Sequence, residues 1–243
     1  SYVEIRQHKN VLYISMEMSE ERVAERIDAN LMNVPIDQLS NLSKDMFDKK
    51  VQKIANKGVG KLIIKEYPTG AANVGHFRAL LSELKLKREF TPDLICIDYL
   101  NICASARMKD AGATYTYVKA IAEELRGLAQ ENNLPILTAT QTTRGGYDNS
   151  DVGLTDTSES FGLPATADLM FAIISTEELE SMNQIMVKQL KNRYNDPTGS
   201  TRRFVLGIDR AKMRLYDLED SAQTIIDTDQ VQKPKDDFEG FMI

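Results

Sequence analysis

Side chains that bind metals or form disulfides are scarce in this sequence. Its 243 residues include two cysteines, two histidines and no tryptophan. Cys96 lies within an apolar run and Cys103 just beyond it, without Cys-x-x-Cys spacing or a neighbouring histidine cluster. A disulfide framework and a structural zinc site are therefore excluded, and we expect two buried or half-buried thiols.

Long hydrophobic runs and an excess of positive charge are also missing. No stretch approaches the roughly 20 apolar residues of a membrane helix, and the amino terminus lacks the apolar region of a signal peptide. The net charge of −6 excludes a broad basic face for nucleic acid, but not a narrow channel lined by a few basic loops. We therefore expect a soluble, intracellular protein.

The sequence does contain strand-length apolar clusters that alternate with helical patterns. Ser19 and Ser43 are typical helix N-caps, and Gly58 is a typical helix C-cap. Several of the clusters are apolar on nearly every residue, which indicates strands covered on both faces. This order predicts a mainly parallel sheet with helices on both faces. The predicted strands are NVLYIS (10–15), KLIIKE (61–66), DLICID (93–98) and LPILTATQ (134–141).

The pattern changes after residue 168, where apolar strands follow one another with short polar connections. NDPTGS (195–200) has the composition of a hairpin turn, so we predict antiparallel strands at the carboxy-terminal end of the sheet. One domain over residues 1–220 is expected. The acidic segment 221–243 is expected to be a disordered tail, with a tail that docks on a partner as the alternative.

Two carboxylates follow predicted parallel strands. Glu17 comes after the first strand and Asp98 ends the third, and the carboxyl ends of parallel strands open on one edge of the sheet. One carboxylate could hold Mg²⁺, and the other could take a proton from a water that attacks a phosphate. An aspartate that only caps a turn is the alternative for Asp98.

Three more polar residues have candidate roles at strand ends. Gln141 could bind a phosphate oxygen and the loop that follows it, or be a solvated residue. Lys191 and Arg193 are two residues apart beside the hairpin, so on a strand they point the same way. They could reach a phosphate bound to a neighbouring subunit, or form a charged face that protects a late strand.

Five segments together resemble the RecA-like motor domain of DnaB-type replicative helicases, most closely those of T-even-like tailed phages. The resemblance runs from about residue 8 to about residue 217 and implies a three-layer α/β fold, ATP hydrolysis with Mg²⁺ and DNA unwinding. The segments are VLYISMEMSEE, LICIDYLNI, VKAIAEELRGLAQENNLPILTATQTTR, SESFGLPATAD and KQLKNRYNDPTG.

The resemblance implies a role for each candidate residue. Glu17 matches the catalytic glutamate and Asp98 the aspartate that holds Mg²⁺. Gln141 matches the glutamine that couples nucleotide state to the DNA loops. Lys191 and Arg193 match the lysine and arginine fingers that enter the adjacent subunit's site.

The resemblance also implies a hexameric ring around single-stranded DNA, in the bacterial host's cytoplasm, with a primase and a helicase loader as possible partners. Within the long polar loops at 104–116 and 142–160, residues 104–114 and 142–158 would line the central channel. Their candidate DNA contacts would depend little on the DNA base sequence and strongly on salt concentration. These contacts are Arg107, Lys109, Arg144, Gly145 and Gly146.

One family motif is missing from this sequence. No Gly-x-x-x-x-Gly-Lys-Ser/Thr phosphate loop occurs in the 243 residues, although the family places one ahead of the segment KNVLYIS. Because Ser1 is not methionine, we expect the loop to lie upstream and this chain alone to show little or no ATPase activity. The alternatives are a non-catalytic DNA-binding or ring-assembly module and another ATPase of the RecA superfamily.

Overall fold

The computed structural model describes residues 7–56, 60–109, 114–142, 153, 162–194 and 203–219. Its strands form two four-stranded sheets, in the orders β2-β1-β3-β4 and β5-β6-β7-β8. The strands are β1 (Val11–Ser15), β2 (Leu62–Glu66), β3 (Leu94–Asp98), β4 (Ile136–Thr138), β5 (Leu169–Ile174), β6 (Gln184–Asn192), β7 (Arg203–Asp209) and β8 (Arg214–Asp217).

All neighbours in the first sheet are parallel and all neighbours in the second are antiparallel. The predicted α/β class, with parallel strands first and antiparallel strands last, is therefore confirmed. The helices are α1 (Glu20–Met32), α2 (Lys44–Ala55), α3 (Val74–Arg88), α4 (Thr114–Asn132), α5 (Gly162–Thr166) and α6 (Glu177–Ser181), with 3₁₀ turns at Ile36–Asn41 and Leu100–Ile102.

Serine side chains begin two of the helices, as the sequence predicted. The Ser19 hydroxyl accepts the Arg22 amide at the start of α1, and the Ser43 hydroxyl accepts the Met46 amide at the start of α2. Each cap satisfies an amide that has no partner inside the helix. The predicted C-cap Gly58 lies outside the described residues.

The main core lies between the parallel sheet and the helices α3 and α4. Leu12 and Ile14 of β1 pack with Phe77 of α3 and Ile121 of α4, and all four are almost fully buried. Because side chains alternate along a strand, Tyr13 and Ser15 point to the opposite face. On that face α1 buries Val23, Ala29 and Met32, so the parallel sheet is covered on both sides.

The two sheets meet around α4, but no backbone ladder joins β4 to β5 among the described strands. Ile136 of β4 and Met170 of β5 pack against the same core. Four large apolar side chains of these two strands are 47–71% exposed. They are Leu137 of β4 and Leu169, Phe171 and Ile173 of β5, and we call them the apolar strip.

The turn between β7 and β8 contacts the region that follows α1. The Ile36 amide donates to the Ala211 carbonyl oxygen at 2.8 Å, and the Asn30 amide side chain donates to the Met213 carbonyl oxygen at 2.7 Å. These bonds join the antiparallel sheet to the helix that begins just beyond Glu17.

Other expectations from composition can be compared with the described residues. Cys103 is buried and Cys96 is half-buried, and both are free thiols, as predicted. Burial raises the pKa of the Cys103 thiol to about 12. Within the described part of the chain, no helix has the length and apolarity needed to cross a bilayer.

Candidate active site

Strands β1 and β3 bring Glu17 and Asp98 to one edge of the parallel sheet. The strands pair in register with Ser15 opposite Asp98, and the Met16 amide donates to the Asp98 carbonyl oxygen at 2.9 Å. Glu17 follows Met16 directly, so it lies just beyond the sheet, next to the end of β3 that carries Asp98. Glu17 is exposed and Asp98 is half-buried, so this edge presents one accessible and one partly shielded carboxylate.

Two hydroxyl groups fix the backbone around Glu17. The Ser15 hydroxyl accepts the Met18 amide at 2.9 Å, and the Thr69 hydroxyl donates to the Met16 carbonyl oxygen at 2.6 Å. Ser15 is completely buried, so its bond is shielded from competing water. The turn that carries Glu17 is thus held on both sides by side chains from the sheet edge.

A tyrosine on β1 holds the Asp98 side chain. The Tyr13 hydroxyl donates to Asp98 Oδ2 at 2.9 Å. Burial, and then the bond to Asp98, raise the pKa of the Tyr13 phenol well above its ordinary value, so the phenol keeps its proton. Among the described residues, one Asp98 oxygen therefore has a fixed donor, and the other has none and could bind a further ligand.

An open cleft of about 550 Å³ lies beside Glu17 at the start of α1. Arg22, Glu25 and Arg26 of α1 also line it. Arg22 pairs with Glu25 at 2.8 Å, whereas Arg26 forms no hydrogen bond or ion pair with residues that the structure describes. The cleft thus offers a carboxylate and a guanidinium group to a small polar ligand.

Gln141 lies next to the residue that follows Asp98. Its side-chain amide donates to the Tyr99 hydroxyl at 3.0 Å, and the Thr140 hydroxyl donates to Asn101 Oδ1 at 2.8 Å. The end of β4 is therefore tied to the 3₁₀ turn after β3.

The two predicted fingers bind the carboxyl end of the short helix α5. Lys191 Nζ donates to the carbonyl oxygens of Pro164 at 2.5 Å and Ala165 at 3.3 Å. Arg193 donates to the Ala165 carbonyl oxygen at 2.9 Å and pairs with Asp168 at 3.2 Å. Both side chains reach the Ala165 carbonyl oxygen, although Arg193 lies one residue beyond β6, and each is engaged within its own chain.

Asp168 connects two arginines in front of β5. Its carboxylate pairs with Arg126 of α4 at 2.8 Å and with Arg193 at 3.2 Å. Arg126 also donates to the Thr166 carbonyl oxygen at 2.8 Å, and its bond to Asp168 raises the pKa of the guanidinium group. Burial, and then the charge of Arg193, lower the pKa of Lys191. Lys191 and Arg193 thus belong to a crowded cationic group in which Asp168 pairs with the two arginines.

In the first long loop Arg107 is bound to α4. Its guanidinium group pairs with Glu123 at 2.8 Å and Glu124 at 3.3 Å, and it donates to the Ala120 carbonyl oxygen at 3.0 Å. Lys109 is exposed and makes no contact of this kind with a described residue. Lys109 is therefore better placed than Arg107 to meet a phosphate. Arg144, Gly145 and Gly146 lie outside the described residues.

Glu124 anchors the start of this loop. Its side chain is 7% exposed, and it accepts the Ser105 hydroxyl at 2.6 Å and the Ala106 amide at 2.8 Å. Burial alone would raise the pKa of the Glu124 carboxyl, but the bonds from Ser105, Ala106 and Arg107 together lower it. The loop is thus fixed to α4 by an ionised carboxylate.

Replacing Glu124 by glutamine is expected to destabilise the chain by about 2 kcal/mol, because buried hydrogen bonds to a charged group are lost. Chemical denaturation at pH 7 measures this loss. Since the Glu124 pKa is lowered by folding, its stabilisation is complete above the unfolded pKa of about 4.3 and disappears as the pH falls through the folded value.

The matched control is Glu123→Gln on the same helix. Glu123 is 42% exposed and binds only the long side chains of Arg107 and Lys119, so the expected change is below about 0.5 kcal/mol. Equal losses in the two variants would show that Glu124 does not anchor the loop.

Four side chains that organise the site were not singled out by the sequence. Tyr13 is a tyrosine in an otherwise aliphatic strand, two residues before the small Ser15, and this pattern was its only signal. Tyr99, Glu124 and Asp168 gave none, because their partners lie between 17 and 42 residues away in the sequence. Their contacts depend on strand register and helix packing.

Comparison with known proteins gives one consistent result. Residues 1–210 match the family model described as the DnaB-like helicase C-terminal domain. The chain is 46% identical over 220 residues to the DnaB-like replicative helicase of Enterobacteria phage T4, covering 88% of this chain and 46% of that protein. The chain thus spans about half the length of the curated relatives that it matches.

Two solved structures share the fold. One is a DnaB-like replicative helicase studied with its interactions with primase, with a TM-score of 0.70, 18% identity and coverage of 88% of this chain and 52% of that chain. The other is described as an ATPase domain, with a TM-score of 0.71, 19% identity and coverage of 88% of this chain and 76% of that chain. At these identities the likeness concerns the fold alone.

Proposed function

The chain belongs to the DnaB-like helicase C-terminal domain family, and from this premise we propose that it is the ATP-hydrolysing, DNA-translocating part of a replicative helicase. The main support is the placement of Glu17 and Asp98 at the ends of two neighbouring strands paired in register. Two carboxylates with different exposure suit two different tasks in phosphoryl transfer.

In this proposal the exposed carboxylate of Glu17 polarises the attacking water and takes its proton. Asp98 would hold Mg²⁺, since a hard oxygen donor with a free position fits an ion that usually keeps water and phosphate as its other ligands. When bound, the ion neutralises charge that develops on the phosphate oxygens. The contact between Gln141 and Tyr99 would carry the state of this site to the loop after β4.

The phosphate loop that the family requires is absent from the 243 residues. We infer that its strand packs between β4 and β5. Each of these strands has one edge without a ladder to another described strand, both lie against the core that contains α4, and their apolar strip is exposed. A strand in this place would satisfy both edges, and the helix that follows it would cover the strip.

A hexameric ring around single-stranded DNA belongs to the same proposal. Lys109 would provide a cation that no described residue binds, whereas Arg107 would have to leave Glu123 and Glu124 before it could bind DNA. Lys191 and Arg193 would face the active site of the next subunit. Primase and a helicase loader are proposed partners, and the bacterial cytoplasm is the proposed location.

The test compares the 243-residue chain with a fusion in which the first strand, phosphate loop and helix of a DnaB-type helicase precede Ser1. We call this fusion the loop-restored protein. The chain alone is expected to show almost no ATP turnover, because its 243 residues contain no Gly-x-x-x-x-Gly-Lys-Ser/Thr loop to hold the β- and γ-phosphates. The loop-restored protein is expected to show Mg²⁺-dependent turnover that single-stranded DNA stimulates.

The matched control replaces the lysine of the added phosphate loop by alanine, which keeps the added strand but removes its phosphate contact. Vigorous Mg²⁺-dependent turnover by the 243-residue chain alone would contradict the proposed absence of a phosphate site. A loop-restored protein that folds and binds single-stranded DNA without hydrolysing ATP would instead support a non-catalytic DNA-binding module.

A further inference from the structure

We propose that Tyr13 is a positioning residue that fixes the Asp98 carboxylate for metal binding. The inference rests on the proposed role of Asp98 at the Mg²⁺ site. It adds to that role a side chain on the neighbouring strand that binds neither metal nor nucleotide. Tyr13 acts through the orientation that its hydroxyl imposes on Asp98.

The geometry comes from the register of two parallel strands. Tyr13 is opposite Cys96 and Ser15 is opposite Asp98, so Tyr13 lies two residues behind Asp98 along the sheet. The phenol ring spans this offset, and its hydroxyl reaches Asp98 Oδ2 at 2.9 Å. Ser15 is small enough to leave the space between them open to the ring.

Tyr13 is the sole hydrogen-bond donor to the Asp98 carboxylate within the described part of the chain. Asp98 is the last residue of β3, and its half-buried side chain lies on the same face of the sheet as Tyr13 and Ser15. One bond from a half-buried phenol fixes one oxygen and, with it, the plane of the carboxylate. The orientation of the other oxygen is then restricted as well, because the two oxygens belong to one rigid carboxylate.

The same bond relates the two carboxylates of the site to each other. Tyr13 belongs to the strand that leads directly into Glu17, and only three residues separate them. A donor on this strand therefore sets the position of Asp98 relative to the turn that carries Glu17. For a metal held by one carboxylate, loss of an outer-shell partner of this kind typically costs about 10- to 100-fold in affinity or activity.

The first measurement uses the 243-residue chain itself. Asp98 is observed by carbon-13 NMR of its labelled carboxyl group, identified by its loss in Asp98→Asn. Mn²⁺ at substoichiometric concentration broadens the signal of a carboxylate to which it binds. Tyr13→Phe keeps the ring and removes the hydroxyl, and we expect several-fold less broadening at a given Mn²⁺ concentration. Unchanged or increased broadening would overturn the proposal.

Tyr216→Phe is the matched control, because Tyr216 is an exposed residue of β8. It is expected to leave the Asp98 signal and its broadening as they are in the parent chain. Thermal unfolding of each variant establishes that Tyr13→Phe is folded. If its midpoint is lower, both chains are compared well below that midpoint.

The second measurement uses the loop-restored protein. The Mg²⁺ concentration that gives half-maximal turnover is expected to rise about 10-fold in Tyr13→Phe, with a much smaller change in turnover at saturating Mg²⁺. A merely structural tyrosine would lower turnover at every Mg²⁺ concentration. An active parent with an unchanged Mg²⁺ requirement in the variant refutes the role of Tyr13 alone. A parent without Mg²⁺-dependent turnover refutes the proposed function.

Discussion

Arg193→Ala in the loop-restored protein is expected to lower DNA-stimulated ATP turnover by roughly 10³- to 10⁵-fold, the range observed when an arginine finger is removed. An arginine that reaches the γ-phosphate of the adjacent subunit stabilises charge in the transition state, and no water can replace it there. Steady-state hydrolysis in the presence of single-stranded DNA measures the effect. Binding of ATP to the variant is expected to change little.

Arg126→Ala is the matched control for Arg193→Ala, because both arginines pair with Asp168. If Arg193 acts only by supporting α5 and Asp168, the two variants lose similar activity. If Arg193 is a finger, Arg126→Ala retains most of the turnover. Similar losses would therefore remove the finger assignment.

A mixing experiment shows in which subunit Arg193 acts. Rings assembled from Arg193→Ala subunits and Glu17→Gln subunits contain some sites with both an intact Glu17 and an intact Arg193 from the neighbour. We expect the mixture to recover measurable turnover, although each variant alone has almost none. A mixture as inactive as its components would contradict action between subunits.

Glu17→Gln in the loop-restored protein is expected to lower turnover by roughly 10²- to 10⁴-fold, because an amide cannot take the proton of the attacking water. The amide has the same shape as the carboxylate, and Glu17 is exposed, so stability is expected to stay the same. ATP binding is expected to persist, since the phosphates are held elsewhere. Single-turnover hydrolysis and equilibrium nucleotide binding separate the two steps.

Glu25→Gln provides a control within the same cleft. Glu25 is a carboxylate of α1 that pairs with Arg22 at 2.8 Å, and no role in proton transfer is proposed for it. Its replacement is expected to leave turnover within a factor of about two to three, the scale of a surface ion pair. If both glutamines lower turnover equally, the cleft acts through its net charge and Glu17 is not the base.

The parallel half of the fold could be predicted closely from the sequence. β1, β2 and β3 each fall within one residue of the predicted limits, because nearly continuous apolar runs end in polar residues. β4 is shorter than the predicted LPILTATQ, with a ladder only over Ile136–Thr138. Beyond the ladder, the side chains of Thr140 and Gln141 bind those of Asn101 and Tyr99. No local sequence pattern indicates these bonds.

The candidate site could be predicted in position but not in its contacts. Parallel topology alone places Glu17 and Asp98 at one edge, and their proposed roles remain predictions. The partner of Asp98 depends on the exact register of β1 and β3, which fixes Tyr13 behind it. Arg107 has the charge expected of a DNA contact, yet it pairs with Glu123 and Glu124 of α4. The sequence could not show which basic side chains form ion pairs within the chain.

The contact between α1 and the β7–β8 turn has a consequence for how the chain is made. Asn30 and Met213 are separated by 183 positions, and Ile36 meets Ala211 in the same place. At about 5 to 20 residues per second, a ribosome needs on the order of ten to forty seconds to add that stretch. During this time the helix after Glu17 has been synthesised but lacks its final support. The Glu17 side of the candidate site therefore gains this support only when β7 and β8 emerge.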